Sequence, residues 1–266
     1  MMMLALSAYG QETTPAADTL ETHSIDNVTV SARRVGLRRV TGAENGILMG
    51  REELFKAACC NLGESFTTNP SVDVNYSDAA TGAKQIKLLG LSGTYVQLLT
   101  ENLPNFSGSA SPFALDYVPG PWMKSIQVSK GASSVRNGYE SITGQIDIEY
   151  LKPEDEQGVT LNLFANTRNR MEVNADANLH LNNAVSTEVL VHYQDESGHH
   201  DVNDDGFQDQ PNVGQWNLQN RWFGRSEHYI FHGGIGAIRE QRDGGQIAHP
   251  QGHDHPLYKI GIETDR

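Results

Sequence analysis

The segment Asp201-Val202-Asn203-Asp204-Asp205-Gly206-Phe207-Gln208-Asp209 spaces its oxygen donors as a calcium loop does. Asp201, Asn203, Asp205 and Asp209 fall at positions one, three, five and nine, Gly206 takes the sharp-turn position, and the carbonyl of Phe207 supplies position seven. Position twelve is Asn212 where an EF-hand has a bidentate Glu, and no helical pattern flanks the loop. The spacing therefore predicts a structural calcium site outside the EF-hand class, set against the simpler reading of an acidic, solvated loop. Histidines gather nearby: His199 and His200 precede the loop, and His249, His253 and His255 cluster further on. Imidazole suits zinc, copper, nickel and iron, so capture of a transition metal is an expectation that requires the two segments to converge. Cys59 and Cys60 are adjacent, with Cα atoms about 3.8 Å apart across a trans peptide, below the usual disulfide range of about 4.4–6.8 Å. They read as buried thiols, with a soft-ion site as the functional alternative. No nucleophile has an evident base beside it, so an enzyme is not expected.

The elements that must carry these residues alternate in polarity. From Met171 to Asn182 the odd positions are Met171, Val173, Ala175, Ala177, Leu179 and Leu181, and the even ones Glu172, Asn174, Asp176, Asn178, His180 and Asn182. A strand turns successive side chains to opposite faces, giving one apolar and one polar face. The same alternation runs through Val159–Ala165 (broken at Phe164), Glu188–Tyr193, Trp216–Trp222, Tyr229–Ala237 and Tyr258–Glu263. Six strands of roughly the 9–11 residues needed to cross a bilayer at a tilt are expected, with apolar residues outward and a polar face turned to a wet lumen. Strands two and three, and four and five, are joined by short turns; about Glu196–Gly214 and Gln241–Pro256 are long loops. That asymmetry is the habit of outer-membrane barrels, although the short first connection near Asn166–Asn169 departs from it. An apolar run of the ~20 residues a spanning helix needs is not present in the sequence.

Six strands do not close a plugged barrel, which needs about 22, and an open sheet would leave edge groups unpaired in lipid. The 266 residues are therefore expected to be a fragment. Met1–Ala8 followed by Tyr9-Gly10-Gln11 looks like the tail of a signal peptide, placing the mature start near Gln11 in an oxidising envelope. The net charge of −13 argues against nucleic acid as a partner. Between Met171 and Asn220 there is no Lys or Arg, but Glu172, Asp176, Glu188, Asp195 and Glu196 precede the acidic loop. This reads as a solvated face or as a field favouring cations.

The first half differs. Gln11–Ser24 cannot bury enough apolar surface to fold. Ile25-Asp26-Asn27-Val28-Thr29-Val30 is then a short β-prone island, suited either to adding a strand to a partner's sheet or to starting the next domain. From about Gly42 to Lys152 the pattern is that of an α/β domain, with a helix near Arg51–Ala58 and strand-like pieces at Gln85–Leu88, Tyr95–Thr100, Ile126–Val128 and Gln145–Tyr150.

In this order the chain resembles the N-terminal part of a TonB-dependent outer-membrane receptor. Ile25–Val30 is similar to the TonB box. Ile86-Lys87-Leu88-Leu89-Gly90 and Tyr95–Pro104 resemble the central plug strands, with Leu89-Gly90 in place of the usual Arg-Gly and Glu101-Asn102 in place of Asp-Gly. Ile126-Gln127-Val128-Ser129-Lys130-Gly131, then Ser133, Gly138, Gly144-Gln145-Ile146 and Ile148, resembles the C-terminal plug signature. The resemblance implies a signal remnant (1–10), a flexible arm with the TonB-contacting segment (11–41), an α/β plug domain (42–152) and the first antiparallel transmembrane β-barrel strands (153–266), about six of an expected 22. It implies an outer-membrane location with the arm and plug on the periplasmic side. The partners it implies are the TonB energy-transducing complex, outer-membrane lipid, and a small-molecule or metal-chelate ligand such as a ferric siderophore. Cobalamin uptake, or a receptor-like binding or signalling module without transport, are the alternatives.

Overall fold

The computed structural model describes residues 38–40, 45–57, 60–91, 93–132, 140–198, 200–247 and 255–266. Its N-terminal part is built on a six-stranded sheet of order β1-β2-β7-β8-β5-β6. These strands are β1 (Arg38–Val40), β2 (Asn45–Gly50), β5 (Val96–Thr100), β6 (Leu103–Pro104), β7 (Met123–Lys130) and β8 (Gly144–Tyr150). Only β5 and β8 run parallel; the other neighbours in this sheet are antiparallel. A hairpin of β3 (Val72–Asp78) and β4 (Ala83–Leu88) stands apart as its own two-stranded ladder. Helix α1 (Arg51–Ala57) is one short amphipathic element, with Leu54 buried and Phe55 exposed.

The core of this domain follows from period-two patterning on β7 and β8. Ile126 lies opposite Ile148 and Val128 opposite Ile146, and all four are fully buried. Burying an aliphatic side chain of this size contributes about 1.5–3 kcal/mol. Met49, Leu88, Tyr117 and Trp122 close the same cluster. At Gly144, an added Cβ would lie 2.2 Å from the Ser129 carbonyl on β7, so only glycine lets the two strands approach at that rung.

The C-terminal part is a meander of six antiparallel strands, β9 (Gly158–Ala165), β10 (Arg170–Asn182), β11 (Val185–Glu196), β12 (Asn212–Arg225), β13 (Ile230–Gly245) and β14 (Lys259–Asp265). Its polarity is inverted relative to the first domain. Val159, Leu161, Leu163, Met171, Trp216, Leu218 and Ile235 are exposed, while Glu172, Asn174, Glu188, His192, Gln215 and Asn217 are buried against the first domain. We call this sheet the wall. No helix among the described residues is long and apolar enough to cross a membrane; the apolar outer face belongs to the strands.

The inversion has an edge. On β13 the outward residues are apolar through Ile235 and Ala237, then become Arg239, Gln241 and Asp243. On β14 the register places Ile260, Ile262 and Thr264 opposite Gly244, Arg242 and Glu240, so Ile260 and Ile262 face inward and Lys259, Glu263 and Asp265 outward. The sequence pattern alone groups Tyr258, Ile260 and Ile262 with the outward apolar rows; the register reverses that face. It also extends β13 to Gly245, into what reads as loop in the sequence. The physical reason is common to both: beyond Ala237 the outer face leaves the apolar band and meets water, and ordinary polarity returns. Tyr193 and Trp216 pack together at this edge, with centroids 4.4 Å apart, and Arg239 is paired across from Trp216. Trp222, Tyr229 and Phe231 mark the other edge, beside the short turns. Trp216 and Trp222 are about 20 Å apart along β12 at roughly 3.4 Å per residue. Aromatic girdles of this kind flank the lipid-facing band of membrane barrels.

Candidate functional site

Where the wall meets the first domain, three wall arginines each hold a carboxylate of that domain. Arg170 on β10 reaches Glu64 at 3.3 Å, Arg242 on β13 reaches Asp116 at 3.0 Å, and Arg221 on β12 pairs with Glu101. Two of the three also carry a carboxylate from their own strand, two residues away and therefore on the same face. Arg170 lies 2.5 Å from Glu172, and Arg242 donates to both oxygens of Glu240 at 2.7 and 2.8 Å. Asp116 is the most heavily bonded group: the Asn61 amide donates at 3.0 Å, the Lys84 ammonium at 2.6 Å, and Arg242 packs over the Phe113 ring as it binds. Burial resists ionisation of Asp116, but the adjacent Lys84 and Arg242 outweigh it and hold the carboxyl below the ordinary range. Burial likewise works against the Lys84 ammonium, and Asp116 with the Tyr76 ring more than offsets it, so Lys84 stays charged.

The wall also grips backbone. Gln215 donates to the carbonyl of Asp116 at 3.2 Å, Asn217 to that of Tyr117 at 2.9 Å, Asn178 to that of Lys152 at 2.8 Å, and Arg221 to that of Leu151. Inward polar side chains thus do for the first domain what a sheet partner would do, without a shared ladder. The tip of the β3–β4 hairpin rests on the long-loop end of the wall. Gly244 of β13 passes so near the hairpin that a Cβ there would sit 2.2 Å from the Ala80 carbonyl, and Gly82, at φ +68°, packs on Pro211. Below this contact is a polar cavity of about 180 Å³, lined by Tyr76 and Lys84 of the hairpin and by Arg168, Gln194, Glu196 and Gln210 of the wall and its loops. Its chemistry is that of hydrogen bonding and mixed charge, suited to a polar ligand.

Residues 38–145 match the TonB-dependent Receptor Plug Domain. These residues form a plug domain of the TonB-dependent receptor kind. The solved structures it resembles have the same fold. Among them are FpvA of P. aeruginosa bound to heterologous pyoverdines (TM-score 0.61, 16% identity, covering 79% of this chain and 27% of that one) and the ferric yersiniabactin uptake receptor FyuA of Yersinia pestis (0.60, 15%, 78% and 33%). The copper transporter OprC is another (0.60, 15%, 79% and 33%). The chain spans about a quarter to a third of the length of these structures. No curated protein sequence matches it.

With the plug placed, the residues singled out by spacing can be located. The Asp201–Asp209 loop is ordered by its own backbone. Asp201 accepts from the amides of Asp205 (3.1 Å) and Gly206 (2.8 Å), Asp205 from that of Phe207, and Asp209 from that of Val202 at 3.0 Å. The Asn203 amide donates to Asp205 at 2.9 Å. The carboxylates are thus directed into one short turn. His200 meets the Arg168 carbonyl at 3.2 Å, and His255 is exposed. His199, His249, His253, Cys59 and the Ile25–Val30 segment lie outside the described residues, as do Ser133 and Gly138. Among the described residues, no group of three or more His, Cys, Asp and Glu side chains is arranged to hold a metal ion. Cys60 is buried.

The three wall arginines were not singled out by the sequence reading. Their signal was the inward parity that Arg221 shares with Asn217 and Gln219. The acidic stretch from Met171 to Asn220 is also less naked than it reads, because Arg170 lies just before it and folds onto Glu172.

Proposed function

We propose that this chain belongs to a TonB-dependent outer-membrane receptor that takes up a scarce metal chelate, a ferric siderophore foremost, by energised transport without covalent chemistry. The observation that carries the reading is a plug domain clasped by the polar face of a wall whose other face is apolar. That arrangement serves passage through a membrane and has no use in a water-soluble domain. The long-loop end, with the hairpin tip and the polar cavity, is the ligand-facing side; the short turns and the arm of residues 11–41 face the periplasm, where Ile25–Val30 adds a strand to TonB. Residues 42–152 form the plug and 153–266 the wall. Similarity to siderophore and copper receptors supports a metal-bearing ligand over cobalamin. Calcium held by Asp201–Asp209 braces the mouth, with Asp201, Asn203, Asp205, the Phe207 carbonyl and Asp209 as its donors.

The test is deletion of Ile25–Val30 in the receptor that carries this chain, assayed with iron-loaded siderophores. Uptake should be lost while binding to the cell surface survives. Unchanged uptake would refute the transporter reading, and binding without uptake in the parent protein as well would favour a non-transporting receptor.

A further inference from the structure

The three arginine contacts between wall and plug are alike on a diagram but differ in what each side would be left with if the two separated. Arg242 is bound bidentately by Glu240 of its own strand, and both side chains are at most 3% exposed. Its one charged link to the plug is a 3.0 Å contact to Asp116, beside a 3.4 Å hydrogen bond to the Thr81 carbonyl and packing over Phe113. Asp116 in turn keeps Lys84 and Asn61, both residues of the plug. Arg170 is matched in charge by Glu172 on the wall through one 2.5 Å contact, without the bidentate hydrogen bonds of the Arg242 pair; its hydrogen bond goes to the plug's partly exposed Glu64. Arg221 is different. Its hydrogen bonds among the described residues go to plug groups, Glu101 and the Leu151 carbonyl, and its guanidinium lies over the plug's Tyr150 ring. Glu188, the residue across from it on β11, lies near enough to feel its charge, but among the described residues the two form no hydrogen bond or ion pair.

We propose that plug and wall meet along a charge-balanced seam, in which Arg242 and Arg170 are neutralised by wall carboxylates and Asp116 by the plug's own Lys84, leaving Arg221–Glu101, among the described residues of the wall strands, as the one ion pair that truly spans it. Removing one member of a buried ion pair is costly because the other is stranded, whereas removing both is often nearly neutral. A seam made of self-neutral halves can part at two of its three contacts without stranding a buried charge. Over these six strands, the wall's hold on the plug then rests on Arg221 and on the amide-to-carbonyl contacts. This concerns how the plug is held, and it stands whichever ligand the receptor carries.

The experiment uses the receptor carrying this chain in outer-membrane vesicles, with the rate of protease cleavage of the plug followed at a fixed urea concentration. Arg221→Met should speed plug release by about 100-fold, and Arg242→Met alone, which strands Glu240, should do the same. The double change Arg242→Met with Glu240→Met should stay within about 3-fold of the parent. If the double variant releases its plug as fast as Arg242→Met alone, Arg242 acts through Asp116 and the proposal is wrong. It is equally overturned if Arg221→Met leaves the rate unchanged. Correct insertion is checked by heat-modifiable migration. Should Arg242→Met fail to insert, Arg170→Met with Glu172→Met takes its place against Arg221→Met, with the same small effect expected and a release as fast as that of Arg221→Met overturning the proposal.

Discussion

The plug and the wall solve the same burial problem with opposite signs. In the plug, Ile126, Val128, Ile146 and Ile148 are hidden and the polar side chains of the same strands point away. In the wall, Leu161, Leu218 and Ile235 are exposed while Glu172, His192, Gln215 and Glu240 are hidden. The central plug strands β7 and β8 and the long wall strands all alternate, so the backbone rule is common to both. What differs is the medium on each side. For the plug the outer medium is polar, whether water or the wall's own amides and carboxylates; for the wall it is lipid up to Ala237 and water beyond. The seam is where two polar surfaces meet, which is why it is held by hydrogen bonds and ion pairs and only locally by apolar contact, as where Leu190 joins the plug core.

The largest effects should come from placing one kind of residue on the two hidden-from-water faces. Ile126→Asp buries an unpaired carboxylate in the plug and should cost more than about 4 kcal/mol, read as loss of protease-resistant plug. Leu218→Arg, in the middle of the wall's outer face, should cost about 2–4 kcal/mol in equilibrium unfolding from vesicles. Gln241→Arg, at an outward position of β13 beyond the apolar edge, should cost clearly less, and equal costs at the two positions would erase the edge drawn between Ala237 and Arg239.

A smaller effect follows at high pH. Burial, with Glu240 close by, pushes the Tyr117 hydroxyl from 10.0 up to about 12, with its hydrogen bond to Thr264 pulling the other way. A group whose pKa is raised by folding gives stability that is fully present below its unfolded value and is lost as pH rises through the folded one. Plug seating should therefore be flat up to about pH 10 and weaken between there and about pH 12. Tyr117→Phe should remove that slope, visible in urea titrations across this window.

How legible was this in the sequence? The wall strands could be read because one lipid face and one polar face leave a clean period of two in Met171–Asn182. The plug strands around Ile126 and Gln145 were legible for the same reason, and the helix at Arg51 from its pattern. The inner orientation of Ile260 and Ile262 was not, since alternation gives two faces without saying which is which; only pairing to Arg242 and Glu240 decides it. Strands β1, β2 and β3 carry mixed or very short patterns and were missed. The ion pairs across the seam lie up to 126 residues apart in the chain, as Asp116 and Arg242 do, and no local spacing encodes them.

The smallest effect concerns the loop from Asp201 to Asp209, which belongs to neither region's core. Its carboxylates already cap backbone amides, so calcium should tighten an existing turn and not create one. Adding calcium to the receptor should slow cleavage of this loop severalfold relative to chelator, in keeping with modest extracellular sites. Asp201→Ala and Asp205→Ala should abolish the difference. Equal cleavage with calcium and with chelator would reject the site.

The inverted polarity of the wall is the central claim, and the chain's 3 tryptophans report on it directly. Trp216 and Trp222 lie on the outer face at 57% and 38% exposure, and Trp122 is buried in the plug. With each isolated by Trp→Phe changes at the other two and at every tryptophan elsewhere in the receptor carrying this chain, fluorescence is measured in bilayers of lipids brominated along the acyl chain and again with aqueous acrylamide. The account predicts strong quenching of Trp216 and Trp222 by brominated lipid, weak quenching by acrylamide, and neither for Trp122. Quenching of Trp216 and Trp222 by acrylamide, with none by brominated lipid, would contradict it.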